Sequence, residues 1–190
     1  MLFQSLTAAA ALFFGASTAL PSPQLQARAI DPNAKFHLTA TVDGKATDVQ
    51  AALSSLFVNL PAQNATCDVG HDATATFFLK DDGLFLFAKS ATPQQLYADR
   101  SGMGQGKFGY TTGAQPTPKN GERTPFTLGY DNQLQLKGSD KFIACPNSVQ
   151  GAWSIWASSG VANPAGNSGC KETTLKASVV ANPNGCIYSS

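Results

Sequence analysis

Short apolar runs broken by turn signals, with no stretch keeping a 3.6-residue apolar period through three turns, restrict this chain to an all-β fold. Phe36-His37-Leu38-Thr39-Ala40-Thr41-Val42 alternates and stops at Asp43-Gly44. Ala73 to Leu79 and Leu84 to Phe87 flank Asp81-Asp82-Gly83, a hairpin signature in which the glycine is expected to take positive φ. Four consecutive apolar residues at 84–87 predict a strand covered on both faces. Further strands are expected at 95–99, 106–112, 126–130, 133–136, 142–145, 153–156 and 175–180. Val49 to Phe57 reads either way and is the one candidate for a short helix. A faint repeat with offsets of roughly 45 to 50 links Asp82–Leu86 to Asp131–Leu136, Leu96–Asp99 to Phe142–Cys145, and Gly106–Tyr110 to Gly151–Trp156. The expected architecture is a single compact antiparallel β domain, either a small β-trefoil-like barrel or a β-sandwich.

The chain is expected to begin with an export signal. Residues 1–19 carry no charged side chain, hold the apolar stretch Leu6 to Phe14, and place Ser17 and Ala19 at the −3 and −1 spacing of a signal-peptidase site. A linker is expected at 20–34, opening with helix-hostile Leu20-Pro21-Ser22-Pro23 and holding Arg28 as a candidate processing site, followed by one domain at 35–190. No later segment approaches the ~18 apolar residues of a membrane span, and the C-terminus lacks a lipid-anchor signal, so the protein is expected to be released. Thirteen basic and 12 acidic side chains leave a net charge of +1, with no runs of either sign. Nucleic acid and anionic membranes are therefore not expected as partners.

Four cysteines in an oxidising compartment imply two disulfides, for which three connectivities exist. Cys145 with Cys170 and Cys67 with Cys186 is preferred, the first closing a local loop and the second tying the C-terminus back across the domain. Loop entropy would make these worth about 3 and 5 kcal/mol. The cysteine spacing and the isolated His37 and His71 do not suit zinc, and neither metal nor cofactor is expected. Asn64-Ala65-Thr66 is the one sequon, making Asn64 the candidate N-glycosylation site.

No catalytic constellation stands out. Glutamate occurs only at 122 and 172, while Asp81, Asp82 and Asp131 sit at turn positions, where aspartate bonds its own backbone. There is no Gly-x-Ser-x-Gly elbow, and paired cysteines offer no thiolate. Gly104-Gln105-Gly106-Lys107-Phe108-Gly109 matches a dinucleotide fingerprint literally, but a β-patterned segment follows it instead of a helix. Asp99–Gly104 reads as a tight loop in which Arg100 either pairs with Asp99 or contacts a ligand. In a strand, Trp153 and Ile155 face one way and Ser154, Trp156 and Ser158 the other. Trp156 among hydroxyls is a candidate platform for a sugar ring, and Tyr97 and Tyr110 are weighed beside it.

Several segments resemble the fungal PhiA family of cell-wall proteins. They are Ala91-Thr92-Pro93-Gln94-Gln95, Asp99 to Lys107, Gly109 to Pro116, Pro118 to Arg123, Phe142 to Asn147, Trp153 to Trp156, and Gly160 to Asn167. The resemblance spans roughly residues 60 to 190 and implies a secreted wall protein of filamentous fungi that serves the development of phialides and conidia. It also implies IgE binding in sensitised hosts, and it brings no catalytic residue. The expected function is that of a non-catalytic, disulfide-stapled wall glycoprotein whose partners are wall polysaccharide or wall proteins. The alternatives are a carbohydrate-binding module and a secreted hydrolase.

Overall fold

The computed structural model describes residues 29–31, 33–89, 92–113 and 115–190. The expected leader, residues 20–28 of the linker and Arg28 lie outside the described residues. Within them the chain is all-β and antiparallel, in chain order β1 (Phe36–Val42), β2 (Lys45–Ala52), β3 (Ser55–Val58), β4 (Thr66–Cys67), β5 (Thr76–Lys80), β6 (Gly83–Leu86), β7 (Gln94–Asp99) and β8 (Lys107–Thr112). There follow β9 (Phe126–Leu128), β10 (Leu134–Leu136), β11 (Phe142–Cys145), β12 (Trp153–Ala157), β13 (Lys171–Thr173), β14 (Leu175–Val179) and β15 (Cys186–Ile187).

One 11-stranded sheet runs β13-β11-β12-β3-β2-β1-β5-β6-β7-β8, with β14 on β1, and β8 pairs back onto β3 and β12. The sheet therefore closes on itself, as in a barrel. Closure removes the long free edges that would otherwise invite strand pairing with another chain.

The segment read as a candidate helix is a hairpin instead. Leu53 and Ser54 both take left-handed φ, 50° and 54°, and form a two-residue turn between Ala52 and Ser55. Its alternation is hidden because both faces of the hairpin are covered. Val49, Ala51, Leu56 and Val58 enter the main core, while Ala52 and Phe57 pack with Leu60 and Ala152 in a small cluster on the other side. The polar members are satisfied locally, since Gln50 accepts from Leu60 N at 2.7 Å and donates to Leu60 O at 2.8 Å.

Two details of the β5–β6 hairpin also depart from expectation. The positive φ falls on Asp81 and Asp82, at 48° and 58°, and Gly83 opens β6 where a Cβ would lie 2.8 Å from Gln95 Nε2. Residues 84–87 are covered on one face only: Leu84 and Leu86 are core, whereas Phe85 and Phe87 are half-buried around Phe78. Three aromatic rings, with the Lys35 ammonium over Phe78 and Phe87, dress an outer surface, which explains an unbroken apolar run outside the core.

The faint repeat has a structural basis, and a third copy. Hairpins β2–β3, β7–β8 and β11–β12 each send their second strand to one corner. There Ser55 lies opposite Gly109, Lys107 opposite Trp156, and Ser154 opposite Phe57. Each strand pairs antiparallel with both others, which three strands can do only by splaying around an axis. The register makes Ser55, Lys107 and Ser154 equivalent, and likewise Phe57, Gly109 and Trp156. The residues between them, Leu56, Phe108 and Ile155, all point into the core and are at most 2% exposed. Burying each contributes roughly 1.5–3 kcal/mol. The close approach also explains the fingerprint-like glycines: a Cβ at Gly106 would meet Ala157 O at 1.9 Å, and one at Gly109 would meet Ser54 O at 2.4 Å.

Cys67 is bonded to Cys186 across the two-stranded β4–β15 ladder, and Cys145, at the end of β11, to Cys170. Beyond Cys186 the C-terminal tail plugs one end of the molecule. Gln94 donates to Tyr188 O at 2.8 Å and accepts from Tyr188 N at 2.9 Å, and the Tyr188 hydroxyl accepts from Thr76 N at 3.1 Å.

Candidate functional site

The three-strand corner carries a pocket of about 220 Å³ on its solvent side. Its wall combines Phe57, Lys107, Ser154 and Trp156 from the splayed strands with Val149 and Asn167 from the flanking loops. Alternation along β12 buries Ile155 and leaves Ser154 and Trp156 on this outer face, while Trp153 packs against the core edge. Trp156 is half-buried and donates its indole N–H to Ser154 Oγ at 2.9 Å, which fixes the ring. The Lys107 ammonium lies 5.8 Å from the ring centroid and donates to Ser55 Oγ. Burial lowers the Lys107 pKa. Lys107 was not singled out in the sequence, although the repeat holds the signal: a charged residue stands where the other two copies have serine.

The two tyrosines weighed as sugar platforms are not available for stacking. Tyr110 shares the core face of β8 with Phe108, is 1% exposed, and donates its hydroxyl to Ser189 O. Tyr97 does point outward from β7, but the segment 117–123 crosses over it and leaves it 8% exposed. That segment is strapped down by Ala98 and Glu122, which exchange backbone bonds of 2.9 and 2.7 Å, and by Arg123, which donates to Gln95 Oε1 at 2.6 Å. Burial raises the pKa of both phenols, foremost for Tyr110.

The carboxylates are dispersed or engaged. Glu122 takes a two-pronged contact from Arg100, 2.8 Å on each arm, and a third from Lys137 at 2.8 Å. The hydrogen bonds from Arg100, against the cost of burial, hold its carboxyl down at about 2. Arg100 thus pairs with Glu122 and not with Asp99, which instead accepts from Ser101 N and Oγ at 3.0 and 2.6 Å. Asp81 and Asp82 rim a larger pocket of about 460 Å³ beside Ile30 and Asn33, whose one aromatic, Phe126, is 1% exposed. No group of three or more metal-ligating side chains occurs among the described residues. Asn64 is exposed in the loop between β3 and β4, with φ of 50°.

A family model described as PhiA-like secreted protein matches residues 36–189. The chain belongs to the PhiA-like secreted protein family. The match begins at β1, ahead of residue 60, where the sequence resemblance starts. The chain is 50% identical over 179 residues to a cell wall protein phiA of Aspergillus niger, covering 94% of this chain and 97% of that one. It is 52% identical over 160 residues to that of Aspergillus fumigatus, covering 83% and 86%. It is 44% identical over 189 residues to that of Emericella nidulans, covering 97% of both. No solved structure matches the chain. The protein is accordingly a secreted cell wall protein. Two of the segments on which the family resemblance rests, Asp99–Lys107 and Trp153–Trp156, meet at the corner pocket through the Lys107–Trp156 pair.

Proposed function

We propose that this protein is a non-catalytic wall glycoprotein that supports the development of asexual structures, phialides and conidia, and carries its glycan at Asn64. Family membership supports the wall part, and the developmental part rests on the sequence resemblance to the fungal PhiA family. A role without catalysis is supported by the engagement of Glu122 with two cations, which leaves it unfit to donate a proton near neutral pH. An exposed asparagine at the sequon supports glycosylation, and a mass shift on enzymatic removal of N-glycans that is absent in Asn64→Gln would test it.

A second reading, binding of wall polysaccharide, is favoured by one observation: an indole fixed among hydroxyls in an open pocket. The deciding experiment is co-sedimentation of the oxidised protein with insoluble chitin, β-1,3-glucan and whole walls, with released products assayed in the same tubes. Saturable binding to one polysaccharide, lost in Trp156→Ala, supports the second reading. Retention by whole walls alone points to wall proteins as the partner. Soluble sugar products would overturn the non-catalytic assignment.

A further inference from the structure

The corner pocket holds a charge that a neutral glycan leaves unused. Among the described residues Lys107 is the only charged side chain lining it. Its one hydrogen-bond partner among them is the neutral Ser55 Oγ, and its other close neighbour is the Trp156 ring. Asp99 lies directly across the β7–β8 ladder from Lys107 and would be the natural counter-ion, but its Oδ1 accepts from both Ser101 N and Ser101 Oγ, and it makes no ion pair with Lys107. Among the described residues no carboxylate forms an ion pair with Lys107, although Glu122, beside Asp99 through its backbone pairing with Ala98, collects two cations. An ammonium has three donors, and Ser55 uses one. Withdrawing a cation from water without an anion costs free energy that a bound anion recovers. A fixed indole beside a cation with two spare donors therefore defines both the shape and the charge of what fits.

Resting on the carbohydrate-binding reading above, we infer that the corner pocket binds an acidic saccharide unit: the sugar ring packs on the accessible part of Trp156 while its carboxylate or phosphate ester sits on Lys107. Hydroxyls of the sugar would be met by Ser148, by the Ser154 hydroxyl hydrogen and by Asn167 Oδ1, since the Asn167 side-chain N–H is already donated to Pro164 O at 2.7 Å. The pseudo-threefold corner supplies the specificity by substitution of one position in three. The other two copies place serine there, and a third serine would leave a pocket for neutral sugar.

The test is a titration of the full oxidised protein, read by tryptophan fluorescence and calorimetry. The probes are an oligogalacturonate, a hexose 6-phosphate, the corresponding neutral hexose oligosaccharides, and inorganic phosphate. The expected result is at least a tenfold preference for an acidic over a matched neutral sugar, weakening as salt is raised. Lys107→Gln should erase the preference. Ser55→Asp, which supplies an internal counter-ion, should erase it as well and covers the case in which Lys107→Gln does not fold. The uronate and phosphate arms decide which anion is carried. Equal affinity for acidic and neutral sugars, still lost in Trp156→Ala, would overturn this inference and leave the carbohydrate reading standing. Binding of inorganic phosphate as tightly as the sugar phosphate would overturn the saccharide assignment. No binding of any sugar would overturn both.

Discussion

The C-terminal tail and the three-strand corner both take polar groups out of water, and they resolve the cost in opposite ways. In the tail every such group meets a matched partner. Gln94 serves both the N–H and the carbonyl of Tyr188, the Tyr188 hydroxyl accepts from Thr76, and Ser189 O receives both Ser54 N and the Tyr110 hydroxyl. At the corner, where Ser55 follows Ser54 along the chain, Lys107 has a hydroxyl and a ring but no anion among the described residues. A fully satisfied buried network rigidifies one arrangement, whereas a half-satisfied one lowers stability. The first pattern is that of a structural lock and the second that of a site held open for something else.

The largest effect expected from this contrast is on stability. Tyr188→Ala removes a core aromatic that is 2% exposed and should cost about 3–5 kcal/mol in urea denaturation. Trp156→Ala, at a half-buried position, should cost no more than about 2 kcal/mol. Equal losses would break the distinction between lock and site.

Alkaline pH should loosen the same lock. Burial pushes the Tyr188 phenol up to about 12, and Tyr110 moves in the same direction. Above pH 10 the unfolded chain ionises first, so the stability these groups contribute is present below about 10 and lost as pH rises toward 12. For Tyr188 this amounts to roughly 2–3 kcal/mol. Urea midpoints between pH 8 and 11.5 should fall for the native sequence and fall less for Tyr188→Phe. A superimposable pH profile for the two proteins would show that the tail is not what fails.

A smaller loss, about 2 kcal/mol, is expected for Gln94→Leu, which keeps the volume but strands the Tyr188 N–H and carbonyl. Because Gln94 acts as a substitute backbone partner, the tail should also become the first segment to exchange amide hydrogens. Unchanged protection of the Tyr188 amide would mean that the Cys67–Cys186 bond and the contacts of the Tyr188 hydroxyl and the Ser189 carbonyl anchor the tail without Gln94.

How much of this was legible in the sequence follows the same divide. The strands whose outer face meets solvent, such as β1, showed a clean alternation and were readable residue by residue. The β2–β3 hairpin was not, because Phe57 and Ala52 bury the second face in their own cluster and the turn residues Leu53 and Ser54 lack the Asn-Gly or Asp-Gly signature of a two-residue hairpin turn. Missing that hairpin hid the third copy of the repeat, and with it the corner. Trp156 was legible as an outward ring beside a serine. Tyr97 was not legible as buried, since its cover comes from a strap more than 20 residues on, held by Glu122 and Arg123. Lys107 gave no local sign, because its isolation depends on Asp99 turning away to Ser101.

The smallest effect is also the most diagnostic. Removing a buried partner normally destabilises, but Lys107→Met removes a charge that no carboxylate among the described residues neutralises and keeps most of the apolar stem. Its depressed pKa has the opposite sign to that of the tail tyrosines. The folded state resists protonation, so stability from this group rises with pH across the window between its lowered folded value and the ordinary lysine value. Below that window the charge is a net burden, and Lys107→Met should be neutral or more stable by up to about 1 kcal/mol at pH 7, by urea midpoint. A loss above about 1 kcal/mol would mean that Ser55 and Trp156 together satisfy the ammonium, making the corner a second lock. A gain, together with lost ligand binding, would locate at one side chain the exchange of stability for recognition.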